Sequence, residues 1–166
     1  MNEPSLTPVF EKVQSELRRA GIDFTHLHHE PVYTSAEAAA VRGVPLHSGA
    51  KALILKGEDA FLMAVIPADL ALDSNRVRKL LESKRLRFAT KEEVLQLTGL
   101  TPGSIPPFGG IFGLTTICDE RLAENERINF NAGSHSDSIQ MSYADYVRYE
   151  SPRLAVIAKP AEARGD

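Results

Sequence analysis

Three short segments of this sequence carry residues that could bind or polarise a small substrate. The first begins at Lys51, which opens the apolar run Lys51-Ala-Leu-Ile-Leu. An ammonium at the mouth of a pocket would bind a phosphate or carbonyl oxygen as a point charge. The alternative is a lysine whose stem lies on the surface and whose charge stays in water. The residue pattern alone leaves both open.

The second segment, the loop Gly103-Ser-Ile-Pro-Pro-Phe-Gly-Gly, can form neither a helix nor a central strand. Its two adjacent prolines fix φ and remove backbone donors, while its glycines allow backbone angles that other residues avoid. We therefore predict a loop that is stiff in its middle and that lets a ligand approach its backbone. Its candidate substrate-binding residues are Gly103, Ser104, Ile105, Pro106, Pro107, Phe108 and Gly109.

The third segment is the polar cluster Asn131-Ala-Gly-Ser-His-Ser. The imidazole of His135 can donate or accept a hydrogen bond, and Asn131, Gly133 and Ser134 offer further contacts to a small substrate. The alternative is an ordinary exposed loop histidine. The functional hypothesis requires Lys51, the proline-containing loop and this cluster to converge in the folded protein.

Other catalytic motifs are incomplete in this sequence. The run His26-Leu-His-His hints at a metal, but a structural zinc site usually takes four ligands, and the single cysteine, Cys118, is isolated in an apolar strand pattern. We therefore predict no metal and no other cofactor, and a core position for Cys118. The sequence also contains no serine-hydrolase elbow, no phosphate-binding glycine motif and no dinucleotide-binding motif.

Composition is typical of one globular domain that spans residues 1–166. Hydrophobic residues make up 43% of the 166 positions and charged residues 25%, without an internal repeat or a low-complexity linker. A single cysteine permits no intramolecular disulfide, and no leader or membrane-length apolar run occurs, so we expect a cytoplasmic protein without a membrane partner. Only the ends, before Thr7 and after Lys159, have the composition of flexible segments.

Charge is unevenly distributed along the chain. The net charge of −3 excludes a protein that is cationic as a whole, and we expect no DNA partner. One stretch, which we call the basic segment, nevertheless carries six cations against a single acid, Glu82. Its members are Arg76, Arg78, Lys79, Lys84, Arg85 and Arg87. The basic segment is either a solvated surface or a local phosphate-binding patch, and composition does not decide between them.

Apolar periodicity and capping signals predict helices and strands in irregular order. Helices are predicted at 7–20, 34–43, 74–81, 90–99 and 143–148, each beside a Thr, Ser or Asp that can cap it. Strands are predicted at 22–28, 86–89, 113–118, 127–131, 138–141 and 154–158, and 51–56 with 60–66 form a predicted hairpin. Because no sustained strand–helix–strand alternation occurs, we predict an α+β (mixed α/β) domain with a central mixed sheet and surrounding short helices.

Six segments in series resemble one known family, the YbaK and prolyl-tRNA-synthetase-associated editing domains, which include the freestanding ProX-type deacylases. Matching segments are His29-Glu-Pro-Val-Tyr-Thr-Ser-Ala-Glu-Ala-Ala, Gly49-Ala-Lys-Ala-Leu, Arg87-Phe-Ala-Thr-Lys-Glu-Glu, Leu97-Thr-Gly, Gly103-Ser-Ile-Pro-Pro-Phe-Gly and Phe130-Asn-Ala-Gly-Ser-His. The resemblance runs from His29 to about Arg148 and implies a compact mixed sheet with packed helices. Members hydrolyse the ester between a wrong amino acid and the 3′-terminal ribose of a tRNA.

The resemblance also implies roles for particular residues. Lys51 matches the family's essential lysine, which contacts the terminal nucleotide, while Gly103 and Pro107 match its Gly-x-x-x-Pro loop, whose backbone lines the aminoacyl pocket. The segment from Asn131 to His135 matches the other wall of the pocket. Many relatives carry threonine or asparagine after the lysine, whereas this chain has alanine there.

By this resemblance, the sequence predicts a metal-independent hydrolase that clears a mischarged small amino acid (Ala, Ser, Thr or Cys class) from tRNA, by default tRNA(Pro). Lys51 would hold a phosphate or carbonyl, loop amides would hold the amino acid, and His135 would assist through a hydrogen bond. The expected partners are the acceptor end of an aminoacylated tRNA, with the basic segment on its phosphates, and an aminoacyl-tRNA synthetase. Two alternatives remain open: a module that binds the acceptor end or a synthetase without turnover, and a small-ligand binder.

Overall fold

The computed structural model describes residues 6–161 of the chain. Its helices are α1 (Pro8–Arg19), α2 (Ser35–Arg42), α3 (Ser74–Leu80), α4 (Lys91–Thr98) and α5 (Tyr143–Glu150). Its strands are β1 (Phe24–His28), β2 (Ala50–Lys56), β3 (Phe61–Pro67), β4 (Leu70–Leu72), β5 (Arg87–Phe88), β6 (Thr115–Asp119), β7 (Arg127–Asn131), β8 (Asp137–Ser142), β9 (Arg153–Ala155) and β10 (Ala158–Pro160). Short 3-10 helices occur at Leu46–Ser48, Gly109–Phe112 and Glu120–Glu124.

The predicted helices begin where their capping residues stand. The side chain of Thr7 accepts a hydrogen bond from the Phe10 amide, and Pro8 occupies the first helical position of α1. Thr90 and Glu93 form a reciprocal capping box at the start of α4. All five predicted helices are confirmed. They could be predicted from the sequence because capping acts between residues that are close in the chain.

The strands form one five-stranded mixed sheet and two smaller antiparallel sheets. The five-stranded sheet has the order β5-β2-β3-β6-β9, with antiparallel pairing in the β2–β3 hairpin and parallel pairing of β6 with both β3 and β9. The three-stranded sheet has the order β1-β8-β7, and β10 pairs with β4. A parallel bridge between Gly49 and Asn129 joins the start of β2 to β7. The predicted α+β class with a central mixed sheet is confirmed.

Hydrophobic side chains pack on both faces of the five-stranded sheet. Met63 and Val65 of β3 belong to the larger core cluster, together with α1 and the three-stranded sheet. Ala64 and Ile66 of the same strand belong to the smaller cluster, together with α3. This alternation is the period of two that an extended strand imposes. A sheet buried on both faces is a rigid support for the edge of β2, where the candidate site lies.

The structure departs from the predicted elements mainly near the C-terminus. The single strand predicted at 154–158 is two strands, because the chain bends after Ala155 and passes from β9 in the five-stranded sheet to β10 beside β4. β4 itself has only three residues, too few to show a period. The ends predicted to be flexible lie largely outside residues 6–161, although Pro160 pairs with Leu70. Within the described residues, no helix is long and apolar enough to cross a membrane.

Candidate active site

A cleft of about 500 Å³ lies beside the N-terminal half of β2. Its walls come from α2 and the residues before it, from β2, β5 and β7, and from the loop that follows α4. In the described part of the chain, β5 pairs with β2 at Leu55 and Lys56, and the Ala89 amide donates to the Ile54 carbonyl at 3.0 Å, so residues 50–53 present a strand edge to the cleft. The predicted site residues that line it are Lys51, Gly103, Ile105, Asn131 and His135.

Lys51 is exposed at the cleft, while its neighbours Ala50 and Ala52 are buried in the core. Its backbone pairs with Ile66 of β3, so a rigid sheet carries its flexible side chain. Lys51 takes part in none of the ion pairs found among residues 6–161. Its charge is therefore available to a ligand.

Gly103 lies where the cleft meets the segment that carries His135. Its φ of +90° is unfavourable for any residue with a side chain, and a Cβ there would lie 3.2 Å from Cε1 of His135. The side-chain amide of Asn131 donates to the Gly103 carbonyl at 2.8 Å, and the Gly133 amide donates to the Ser104 carbonyl at 2.7 Å. The loop and the polar cluster therefore converge at Gly103.

Beyond Ile105 the loop turns into the core and leaves the cleft. Phe108 is 1% exposed and packs against three aromatic rings, and the Pro107 carbonyl accepts a hydrogen bond from a buried tyrosine at 2.7 Å. A Cβ on Gly109 would lie 2.3 Å from Oγ1 of Thr116, so this glycine is required by packing. Five predicted contact residues support the loop from behind and do not line the cleft: Ser104, Pro106, Pro107, Phe108 and Gly109.

His135 joins the polar cluster to two neighbouring segments. Its Nδ1 donates to the Val32 carbonyl at 3.1 Å, and its Nε2 faces the Thr101 hydroxyl at 3.4 Å. Its ring packs on Tyr33, with ring centroids 4.8 Å apart. Because these contacts engage both ring nitrogens, the geometry favours a role of His135 in shaping the wall over a role in proton transfer.

Gly133 and Ser134, which the sequence also predicts as substrate contacts, do not line the cleft. The Ser134 hydroxyl donates to Asp137 at 2.7 Å. The other oxygen of this carboxylate lies 2.8 Å from His26 Nε2 and 2.9 Å from His28 Nδ1. Two of the three histidines in the run that hints at a metal therefore share a carboxylate, and within residues 6–161 no group of side chains has the arrangement of a metal site.

Arg42, the last residue of α2, lines the cleft although nothing in the sequence distinguishes it. Its Nε donates to Ser138 Oγ at 2.8 Å, and its Nη2 donates to Asn131 Oδ1 at 2.9 Å. Burial lowers the pKa of this guanidinium from 12.5 to about 10, so it stays charged at neutral pH. Its partners lie 96 and 89 positions further along the chain, which is why only the fold identifies it.

The wall of the cleft is cationic. Lys51 and Arg42 both line it, and no aspartate or glutamate of the described residues does. A partly enclosed wall with charge of one sign attracts an anionic ligand and strengthens contacts to phosphate or carbonyl oxygens. The cleft is therefore suited to a compact ligand that carries such oxygens.

The cationic side chains of the basic segment lie outside the cleft, although its last member, Arg87, directly precedes Phe88 in the cleft wall. All six of its cationic side chains are exposed, and none of them lines the cavity. Arg87 is paired with Glu93 at 2.7 Å, and this side-chain hydrogen bond lowers the pKa of Glu93 to about 2. Contact between the basic segment and tRNA stays a prediction.

Cys118 lies in the core, as predicted. It is 0% exposed in β6, and burial raises the pKa of its thiol to about 12. The thiolate is the reactive form of cysteine, and a thiol that stays protonated and inaccessible does not act as a nucleophile. The chemistry of the site therefore belongs to the residues of the cleft.

Comparison with known proteins identifies the class to which the chain belongs. The model of the aminoacyl-tRNA editing domain matches residues 29–149, which is most of the chain. The chain is thus a member of the aminoacyl-tRNA editing domain family, and the resemblance read from the sequence is confirmed. The matched stretch includes every residue of the cleft.

The relatives include both a separate protein and part of a synthetase. The Escherichia coli K12 protein named multifunctional Ser/Thr-tRNA deacylase ProXp-y is 33% identical over 150 residues, which cover 87% of this chain and 90% of that protein. The proline–tRNA ligase of Trichlorobacter lovleyi is 33% identical over 121 residues, 68% of this chain but 21% of the ligase. A solved structure described as a candidate trans-editing enzyme for prolyl-tRNA synthetase superposes with a TM-score of 0.82 at 25% identity, covering 93% of this chain and 99% of that one.

Proposed function

We propose that this protein is a freestanding deacylase that hydrolyses the ester between a mischarged small amino acid and the 3′-terminal ribose of a tRNA. The observation that carries the proposal is the cleft, which Lys51, Gly103 and Asn131 line together and to which no carboxylate of the described residues contributes. Membership of the editing-domain family and the named activity of the E. coli relative support the same reaction.

The main contribution of the protein to this reaction would be to position the ester for attack by water. An aminoacyl ester is already activated, so attack by water needs neither a covalent nucleophile nor a metal once the carbonyl is well oriented. The ammonium of Lys51 would hold a phosphate or the carbonyl oxygen, and on the carbonyl it would stabilise the negative charge that develops during attack. The vicinal hydroxyl of the terminal ribose is available to share the proton of the attacking water.

The size of the pocket would set the choice of amino acid. Gly103 has no side chain and Ala52 has only a methyl group, and both residues line the cleft. Steric exclusion matters because a hydrophobic pocket discriminates a single methylene by only about 1–3 kcal/mol. Since the E. coli relative is named for seryl and threonyl substrates, we propose these first, with alanyl and cysteinyl esters as further substrates of the same size class.

The substrate would arrive as free aminoacylated tRNA. The match to the separate E. coli deacylase extends over 90% of that protein, which supports an enzyme that acts in trans. We propose tRNA(Pro) as the first tRNA to test, because the ligase and the candidate trans-editing enzyme both belong to the prolyl system. The synthetase of that system is the proposed protein partner.

The proposal is tested with a deacylation panel. The purified protein is incubated with tRNA(Pro) charged in turn with serine, threonine, alanine, cysteine and proline, and with correctly charged tRNA(Ser) and tRNA(Thr). We expect release of one or more of the small amino acids and retention of proline. Release from none of these substrates would contradict the proposal, and normal tRNA binding in that case would favour the module without turnover.

Two lysines on the same strand give a matched pair of variants. Lys51→Ala should lower kcat/KM by about 10²–10³, as removal of a stabilising charge from an active site does, and should leave the thermal unfolding midpoint unchanged. Lys56→Ala is the control, because Lys56 is also in β2 but does not line the cleft. A Lys51→Ala variant that is as active as the control would refute the assigned role.

A further inference from the structure

Two aromatic side chains are exposed at the wall of the cleft. Tyr33 is 73% exposed and Phe88 is 54% exposed, and both line the cavity. Phe130, which also lines it, is 1% exposed, as is usual for a large apolar ring. Two large rings left in water beside one cavity indicate a surface that binds something.

The two exposed rings are supported by ordered structure. Tyr33 packs against the imidazole of His135, with ring centroids 4.8 Å apart, and most of the tyrosine remains in solvent. Phe88 belongs to β5, which pairs with β2, so the five-stranded sheet carries this ring. The neighbouring Arg87 donates to the Phe88 carbonyl at 3.1 Å. Both rings are therefore attached to ordered parts of the protein at the wall of the cavity.

The charge beside the rings indicates the kind of ligand. Lys51 and Arg42 line the same cavity, and no carboxylate of the described residues does. Exposed aromatic rings next to cations, without acids, are typical of sites for single-stranded nucleic acid, where bases stack on the rings and cations hold the phosphates. A protein partner that docks through apolar contacts alone would not use the two cations.

We propose that Tyr33 and Phe88 are stacking platforms for the unpaired nucleotides at the 3′ end of a tRNA, with one base on each ring. The inference rests on the proposed function, because the terminal ribose has to enter the cleft for its ester to be cut. Stacking tolerates any base, so the platforms align the ester with Lys51 whatever the body of the tRNA.

The test is equilibrium binding, by fluorescence anisotropy, of an unacylated RNA hairpin with a single-stranded CCA end. A second hairpin carries abasic residues at the three unpaired positions, so that it keeps the phosphates and lacks the bases. Tyr33→Ala and Phe88→Ala should each weaken binding of the intact hairpin about tenfold and leave binding of the abasic hairpin unchanged. Tyr33→Phe keeps the ring and should bind like the unmodified protein.

Leu95→Ala and Leu154→Ala are the matched controls. These leucines are 55% and 45% exposed, lie outside the cleft, and should leave the affinity for both hairpins unchanged. Thermal unfolding shows whether each variant is folded. The proposal is overturned if the aromatic variants weaken both hairpins equally or weaken neither. It is also overturned if the aromatic variants bind both hairpins normally and lose only their binding to a synthetase, because the rings would then be a protein-docking surface.

Binding is measured without hydrolysis, so the two proposals fail separately. If the aromatic rings are needed to bind the intact hairpin but no amino acid is released, the stacking proposal stands and the proposed deacylase activity is refuted. An active deacylase whose aromatic variants bind the intact and abasic hairpins alike refutes this inference alone.

Discussion

Asn131 accepts a hydrogen bond from Arg42 at 2.9 Å and donates one to the Gly103 carbonyl at 2.8 Å. Through it, the guanidinium at the end of α2 holds the backbone of the loop on the far side of the cleft. A hydrogen bond from a charged donor is about twice as strong as one between neutral groups. The bond from Arg42 to Asn131 is therefore stronger than the bond from Asn131 to the Gly103 carbonyl. The position of Gly103 thus depends on a residue outside its own loop.

Replacing Arg42 by methionine should therefore lower kcat/KM for deacylation about tenfold or more. Asn131 Oδ1 and Ser138 Oγ would lose their donor, and a hydrogen bond to a charged group contributes about 1.5–3 kcal/mol. Arg42→Lys keeps the charge but not the two-point donation, and should recover part of the loss. Steady-state kinetics measures both variants.

Arg148→Met is the control for this prediction, because Arg148 is an exposed arginine of α5 that pairs only with Asp145 of its own helix among the described residues. It should change neither the rate nor the stability appreciably. An Arg42→Met variant that matches this control would show that other contacts hold Asn131 in place.

Asp119, the last residue of β6, determines where the chain leaves the five-stranded sheet. Its buried carboxylate accepts hydrogen bonds from the amides of Ile157 and Ala158, both at 2.8 Å, and from the Nε of Arg121 at 3.0 Å. The two amides lie at the bend between β9 and β10. Burial alone would raise the pKa of Asp119, but these hydrogen bonds outweigh burial and hold the pKa below its usual 3.8.

Asp119→Asn should destabilise the protein by about 3 kcal/mol at neutral pH, because the amide cannot replace a carboxylate that accepts from several donors at once. A carboxyl with a lowered folded-state pKa stabilises fully above its unfolded-state pKa of about 3.9, and this contribution is lost as the pH falls through the folded-state value. The difference between the two proteins should therefore be constant at pH 5–7 and shrink below about pH 4. Urea unfolding at several pH values measures it.

Asp59→Asn serves as the control for this pH series. Asp59 is an exposed residue of the turn between β2 and β3, and its replacement should change the free energy of unfolding by less than about 0.5 kcal/mol. A stability difference for Asp119→Asn that persists unchanged at pH 2.5 would contradict the assigned electrostatic origin.

Lys51 and Arg42 line the cleft, whereas the basic segment begins in α3, which packs Val77 into the smaller core cluster, and reaches the cleft wall only at its end, where Arg87 precedes Phe88. A tRNA acceptor end also has two parts, an unpaired 3′ end and a duplex stem. The cleft suits the first part, and the basic segment is the candidate contact for the phosphates of the second.

Reversing two charges of the basic segment tests this division. Arg78→Glu with Lys79→Glu should weaken tRNA binding and reduce the slope of log affinity against log salt by about 2, since each lost phosphate contact reduces the slope by about 1. The cleft is untouched, so the rate at saturating tRNA should be unchanged. Binding is measured from roughly 50 to 200 mM salt, a range over which an affinity that depends on phosphate contacts falls steeply.

The control pair is Lys12→Glu with Arg153→Glu, which imposes the same change of charge on α1 and β9. Both residues are exposed, and neither lines the cleft. If the two double variants have the same salt dependence, the basic segment is a solvated surface without a specific role.

Local signals were sufficient for most elements and for the family. Capping residues such as Thr90, and the two apolar runs of β2 and β3 with a short polar turn between them, act between near neighbours, so they can be recognised in the linear sequence. The ordered motif segments were enough to identify the editing domain, and they singled out Lys51 and Gly103, which both line the candidate cleft.

Membership of the cleft, by contrast, was decided by contacts between distant parts of the chain. Arg42 reaches its partners 96 and 89 positions away, and Phe108 leaves the cleft because a cluster of aromatic rings accepts it in the core. Tyr33 and Phe88 become a pair only because the residues before α2 and the strand β5 border the same cavity. Which side chains share a cavity depends on packing between residues that are far apart in the chain. Short segments of sequence therefore cannot show it.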